Sequence, residues 1–219
     1  MNFSPEWDEL YRSGRHLSVW PWSDLVSLVM RFADRSRRLR VLELGVGLGA
    51  NIPLFLSLES DYFGIEGSVK AVETLRQRFG SRVNLIVGDF CKDIPFEGAF
   101  DLVVDRGSIT HNDKAGIEAA LALVRECLAP GGLFVGVTWF SPDCSLFTGG
   151  EGLRTEDEFV RRDFRSGFLS DTGVVHFADK TRMLTLFELF KIEHLELRTT
   201  DIAIPLPERI AAWNIVARK

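Results

Sequence analysis

Four short apolar runs, each carrying an acid at or just past its C-terminal end and set among stretches at helical spacing, constrain this chain most. Arg40-Val-Leu-Glu-Leu44 holds Glu43 just ahead of the turn Gly45-Val-Gly47-Leu-Gly49. Tyr62-Phe-Gly-Ile65 ends at Glu66, Val83-Asn-Leu-Ile-Val87 leads to Asp89-Phe90, and Phe100-Asp-Leu-Val-Val104 ends at Asp105. A fifth run spans Leu133 to Trp139. Runs this short and this rich in β-branched and aromatic residues read as strands. Helical stretches between them call for βαβ units, and so for a parallel sheet covered on both faces. The fold class is α/β, doubly wound. Its polar strand ends share one edge, where open α/β sheets bind ligands.

The helices have their own signals. Ser23-Asp24 reads as the cap of a helix reaching about Arg38, with the run Arg31 to Arg40 complementing the dipole at its end. Another helix spans about Asn51 to Leu58. Ser68 caps a third, which carries Val69, Val72, Leu75 and Phe79 on one face and closes at Gly80. A fourth, about Lys114 to Leu128, stops at Pro130-Gly131-Gly132. Residues 141–179 hold few apolar residues and are too long for a bare connection, so they read as a lid or acceptor-binding insertion. Lys180 to Phe190 is helical, and Lys191 to Thr200 and Ile210 to Arg218 are strands joined through Pro205 and Pro207. Nothing divides the chain, so 1–219 reads as a single domain, with 1–22 an aromatic arm ahead of it.

Composition removes several classes. A net charge of −5 weighs against a nucleic-acid partner, which needs a basic footprint. Cys91, Cys127 and Cys144 form no CxxC pair and have no histidines at metal spacing, which fits plain thiols in a reducing compartment. The start, Met-Asn-Phe-Ser-Pro-Glu, is too polar for a signal peptide. No apolar run approaches the roughly 18 residues that span a bilayer. A cytoplasmic chain with no membrane partner is expected.

The glycine turn leaves two ligand classes open. Gly45-x-Gly47-x-x-Ala50 satisfies the dinucleotide fingerprint, and Glu66 lies near the position expected for its ribose-binding acid. A nicotinamide-dependent oxidoreductase is therefore one reading. Glu43, Asp89 and Asp105, however, make the edge negative, which opposes a pyrophosphate and favours a cationic, phosphate-free nucleoside.

In its motifs the chain resembles the class I S-adenosylmethionine-dependent methyltransferases. Val-Leu-Glu43-Leu-Gly45-Val-Gly47-Leu-Gly49, Gly-Ile-Glu66-Gly67-Ser68, Val-Gly-Asp89-Phe90, Phe-Asp-Leu-Val-Val-Asp105-Arg106-Gly107-Ser108 and Leu-Ala-Pro130-Gly131-Gly132 follow the family's order over residues 40–140. The resemblance implies a Rossmann-like seven-stranded sheet, mostly parallel, with its last strand antiparallel. It implies S-adenosyl-L-methionine as cofactor, with Gly45, Gly47 and Gly49 under its methionine and ribose parts and Glu43 at its amino group. Glu66, with Gly67 and Ser68, would hold the ribose hydroxyls. Asp89 would accept from the adenine amino group, and the Phe90 N–H would meet a ring nitrogen. Asp105 and the Arg106 backbone would lie beside the sulfonium and methyl.

Trp7, Tyr11, Trp20 and Trp22 crowd four large aromatics into sixteen residues. They either cover the sheet edge as core or fold over the cofactor, where a ring gains from a nearby cation. Trp7, Tyr11 and Trp20 are the cofactor-facing candidates. The arm and Asp105-Arg106-Gly107 are similar to thiopurine S-methyltransferases and tellurite-resistance methyltransferases.

His111, six residues past Asp105, is the candidate base, with Asp105 beside it at the catalytic centre; capping the next helix is the alternative. His176 is the second candidate, and His16 and His194 read as surface residues. Arg154, Arg161, Arg162 and Arg165 would clamp an anionic small-molecule acceptor, or form a solvated helix face with Glu156, Asp157 and Glu158. The loop offers only Asp105, Asn112 and Asp113, against the several carboxylates of metal-dependent members, so no metal is expected. Asp-Arg-Gly-Ser departs from the Pro-Pro-aromatic sequence of amino-base-modifying enzymes. The expected reaction is in-line methyl transfer to a small-molecule oxygen, nitrogen or sulfur. Protein or RNA methylation is the alternative.

Overall fold

The computed structural model describes residues 6–13 and 18–219; His16 lies outside them. The chain opens with helices α1 (Glu6–Arg12) and α2 (Ser23–Phe32). Then come β1 (Arg40–Leu44), α3 (Ile52–Ser57), β2 (Asp61–Glu66), α4 (Val69–Phe79), β3 (Asn84–Val87) and β4 (Phe100–Arg106). These lead to α5 (Lys114–Cys127), β5 (Leu128–Phe140), α6 (Ser145–Thr148), β6 (Leu153–Arg154), β7 (Val160–Arg162) and β8 (Val175–His176). The chain ends with α7 (Lys180–Leu186), β9 (Lys191–Ile202) and β10 (Glu208–Arg218). Seven strands form one sheet in the order β3-β2-β1-β4-β5-β10-β9. β1 to β5 run parallel, and β10 runs antiparallel to both β5 and β9.

Strand alternation sends successive side chains to opposite faces. On β1, Val41 joins a core under α2 and α4 with Leu25, Val29 and Leu75. Leu42 and Leu44 join the core of the other face, with Ile117, Leu121 and Phe187. Both faces are therefore buried, as a parallel sheet requires. Helix α4 follows its signals: Ser68 Oγ accepts from the Ala71 N–H at 3.1 Å, and Gly80 closes the helix at φ 60°.

Other boundaries differ from the pattern. Helix α2 stops at Phe32, and Trp22 takes its N-cap position with no side-chain cap bond; Asp24 pairs instead with Arg198 on β9. Arg31 alone of the arginine run lies in the last turn of α2. Arg37 meets Asp101 and Arg38 meets Asp61, each at 2.6 Å, while Arg40 lies over Phe63 and Phe100. The run thus ties together the starts of β1, β2 and β4. Strand β5 begins at Leu128, which pairs with Phe100, so Pro130-Gly131-Gly132 is an irregular strand start and not a stop. Helix α7 ends at Leu186, four residues before Phe190, the end of the helical stretch read from the sequence.

Residues 141–179 fold on themselves. The strands β6, β7 and β8 make a small antiparallel sheet. Phe164, Leu169, Val175 and Phe177 pack there with Phe140, Ala211 and Ala212 of β5 and β10. The arginine region is strand and loop, not a helix face. Arg161 is buried with its guanidinium 4.3 Å from the Phe147 ring and donates to the Glu158 carbonyl at 2.7 Å.

Candidate active site

The C-terminal ends of β1 to β5 open on a cavity of about 630 Å³, walled also by α1 and by the insertion. Gly45 and Gly47 line it at φ 67° and 56°, a region that suits glycine. A Cβ on Gly45 would lie 2.2 Å from Ser108 Oγ. Gly49 serves otherwise: a Cβ there would lie 2.5 Å from Leu75, so it admits α4 against the turn and does not face the cavity.

Glu66 is buried at the cavity wall. Its Oε2 accepts from the Gly47 N–H at 2.7 Å and its Oε1 from the Ser68 N–H at 2.8 Å. Burial raises its pKa, and those two N–H groups oppose the rise. Each carboxylate oxygen still has a lone pair for a ribose hydroxyl. Gly67 lines the cavity, whereas Ser68 caps α4 and bonds Asp8 of α1 behind the wall. Asp89 and Phe90 line the far end, with Asp89 Oδ1 accepting from the Cys91 N–H and Oδ2 3.3 Å from Lys92 Nζ.

Glu43 also lines the cavity while its oxygens accept from Asn51 Nδ2 and the Tyr62 hydroxyl. Burial pushes its carboxyl up to about 7, against those bonds and the nearby Arg106 charge. Asp105 departs from its expected place. It is fully buried, its Oδ1 takes the Ser108 and Ile109 N–H groups, and its Oδ2 takes Trp139 Nε1 at 2.7 Å. It shapes the loop after β4 from beneath and does not face the cavity. The Arg106 side chain does face it, with its guanidinium 3.9 Å over the Trp22 ring.

Burial likewise raises the Asp105 carboxyl to about 6. Groups raised in this way hold a proton in the folded chain at pH values where the unfolded chain has lost it. Their stabilisation is full below the unfolded values and is lost as pH rises through 6 to 7. His176 has the opposite sign, being pulled down to about 4, so its contribution is lost as pH falls below 6.5. The melting temperature of the cofactor-free protein should therefore fall between pH 6.5 and 8. Glu43→Gln should remove most of that fall; an equal fall in the variant would show that Glu43 does not titrate there.

The other half of the cavity is aromatic. His111 sits in the 3-10 turn Ile109–His111, with Nδ1 3.2 Å from the Val174 carbonyl. A carbonyl only accepts, so Nδ1 carries the hydrogen of this contact. Trp7 stands edge-on to this ring at 5.0 Å and Phe140 at 6.2 Å. Next door, Thr110 Oγ1 donates to the His176 carbonyl at 2.7 Å, so β8 and the residue before it hold the loop at two points. The cap of α5 is Asp113, not His111.

Several candidates lie elsewhere. His176 is buried outside the cavity, and among the described residues neither ring nitrogen has a hydrogen-bond partner. His194 packs on Phe32, 3.3 Å from Glu196. Arg154, Arg161, Arg162 and Arg165 are absent from the cavity wall, which corrects the clamp reading. Trp20 is 71% exposed and off the wall, where Trp22 stands instead; Tyr11 and Trp7 are on it. The sequence reading missed Phe140, Phe168, Leu169, Thr172 and Val174. Of these, Phe140 ends β5 and had the same strand-end signal as Asp105.

A methyltransferase domain family model matches residues 41–132. No curated protein is a detectable sequence relative. Among solved structures, a S-adenosylmethionine-dependent methyltransferase from Methanosarcina mazei superposes with a TM-score of 0.72 at 17% identity, covering 91% of this chain and 98% of that one. The 1,6-didemethyltoxoflavin-N1-methyltransferase of Burkholderia thailandensis gives 0.66 at 18%, covering 96% and 84%. The N-methyltransferase NodS of Bradyrhizobium japonicum gives 0.66 at 16%, covering 99% of both chains. Residues 41–132 thus match a methyltransferase domain, carried on a sheet whose fold these solved structures share.

Proposed function

We propose that the chain methylates an oxygen, nitrogen or sulfur of a small molecule, with His111 as proton acceptor. The carrying observation is that one walled cavity joins the Glu66 end to the His111 ring, whose Nδ1 meets the Val174 carbonyl. When bound, S-adenosylmethionine supplies a methyl carbon activated by a positively charged sulfur leaving group. Glu66 would hold the ribose hydroxyls, Asp89 and the Phe90 N–H the adenine, and Glu43 the amino group, each from its place on the wall. Trp7 and Tyr11 would close over the donor from α1, and the insertion would exclude water from the acceptor. His111 Nε2 would take the proton that the acceptor loses as it gains the methyl. Walls on this scale favour a small acceptor over a protein or nucleic acid, and two of the solved relatives are by name a 1,6-didemethyltoxoflavin-N1-methyltransferase and an N-methyltransferase.

A reducing compartment such as the cytoplasm is supported by three free cysteines, each with its thiol pKa pushed up by burial. Among the described residues no helix is long and apolar enough to cross a membrane.

Calorimetric titration with S-adenosylhomocysteine and with NAD should show binding of the first alone. A metabolite-pool screen with labelled S-adenosylmethionine should then put label on a small molecule. Label found only in protein or RNA would reject the small-molecule reading.

A further inference from the structure

We infer that the acceptor is a flat aromatic or heteroaromatic molecule without net negative charge, held between α1 and the insertion; this rests on the methyl-transfer reading of the same cavity. The wall around His111 is made of rings and branched aliphatics. Trp7 and Phe140 each stand at 81° to the imidazole, and Phe168 of the insertion lies 5.7 Å from Phe140. Leu169 and Val174 continue that wall. Aromatic rings pair best edge-to-face or offset, so such a wall selects a flat ring over a puckered one of equal size.

The polar side chains on this wall are engaged within the protein. Thr172 Oγ1 donates to the Leu169 carbonyl at 2.7 Å, and Asn112 Nδ2 donates to the Ile109 carbonyl at 3.1 Å. Ser108 Oγ donates to the Gly45 carbonyl at 3.2 Å. What they present to an acceptor is therefore mostly carbon.

Charge points the same way. Glu6, Glu43, Glu66 and Asp89 line the cavity, and of the described lining residues Arg106 is the arginine. Its guanidinium is covered by Trp22 and faces the charges of Glu43 and Asp105. Arg161 is spent beneath Phe147. A carboxylate or phosphate on the acceptor would thus find, among the described lining residues, no arginine that is not already covered and engaged by acids.

The test is calorimetric binding to the full chain saturated with S-adenosylhomocysteine, using 1-naphthol, 2-decalol and 1-naphthoate as probes. The first is flat and neutral, the second neutral but puckered, the third flat but anionic. 1-Naphthol should bind at least tenfold tighter than either of the others. Phe168→Leu, which keeps bulk but removes the ring, should abolish most of the preference over 2-decalol while leaving S-adenosylhomocysteine affinity unchanged. Equal or tighter binding of 2-decalol or 1-naphthoate, or an unaltered preference over 2-decalol in Phe168→Leu, would overturn the inference alone. Failure of S-adenosylhomocysteine itself to bind would instead overturn the reading beneath it.

Discussion

Glu66→Ala should weaken S-adenosylmethionine binding by about tenfold to a hundredfold, because a hydrogen bond to a charged group is worth about 1.5–3 kcal/mol. The structure adds a second effect. The same carboxylate accepts the Gly47 and Ser68 N–H groups, so its removal leaves one partly buried and one buried donor unpaired and loosens the glycine turn from the start of α4. The variant should therefore also melt at a lower temperature. Glu66→Gln separates the two effects. Its amide oxygen can still satisfy one N–H, while its NH₂ faces the other donor, so it should lie between wild type and alanine in both measurements. Calorimetric titration with S-adenosylhomocysteine, beside a thermal melt of the cofactor-free protein, reads both. An alanine variant that binds with unchanged affinity would remove Glu66 from the donor site.

The four strand-end acids show where sequence reading succeeds and where it stops. Their positions were legible because strand length and helical spacing fix which residues end at the sheet edge. Which way each one points was not, since that depends on strand parity. Glu43 shares a face with Val41 on β1, and Glu66 shares a face with Tyr62 on β2; both meet the core beneath α4. Asp105 shares a face with Val103, whose core contains Trp139 on the opposite side of the sheet, and that indole takes its second oxygen. One strand-end pattern thus gives wall residues in three cases, Glu43, Glu66 and Asp89, and a buried brace in the fourth.

The acceptor wall was harder to read because its parts have no period. Trp20 and Trp22 differ by two residues in an irregular stretch, yet one is in solvent and the other covers Arg106. Phe168, Leu169 and Val174 reach the cavity from turns whose course is set by the small core of the insertion. Thr138 gives no signal at all. It lines the cavity at φ 63°, an outlier for a β-branched residue, and its N–H is held by Asn214 Oδ1 at 3.2 Å across a bulge in the β5–β10 pairing. Such strain persists only where surrounding structure over-determines it. Here that structure is Asn214, itself tied to Glu196 on β9.

His111→Asn should lower turnover by about 10²–10⁴-fold, the usual contribution of a positioned base. An asparagine amide can still donate to the Val174 carbonyl, so the loop after β4 should keep its course and S-adenosylhomocysteine affinity should be unchanged. What disappears is the nitrogen at Nε2 that can take a proton. In wild type, acidification protonates that nitrogen and stops it accepting, which gives the rate profile a limb that falls toward low pH. The variant should be slow at every pH and lack that limb. The two readouts together distinguish a base from a wall residue, because a residue that merely packs would change acceptor affinity and leave the pH profile in place. His176 is no substitute, since it lies buried outside the cavity and its ring is kept neutral by its surroundings. Near-wild-type turnover in His111→Asn would mean that the acceptor arrives with its lone pair already available, as a free amine or thiolate does, and that His111 only shapes the wall.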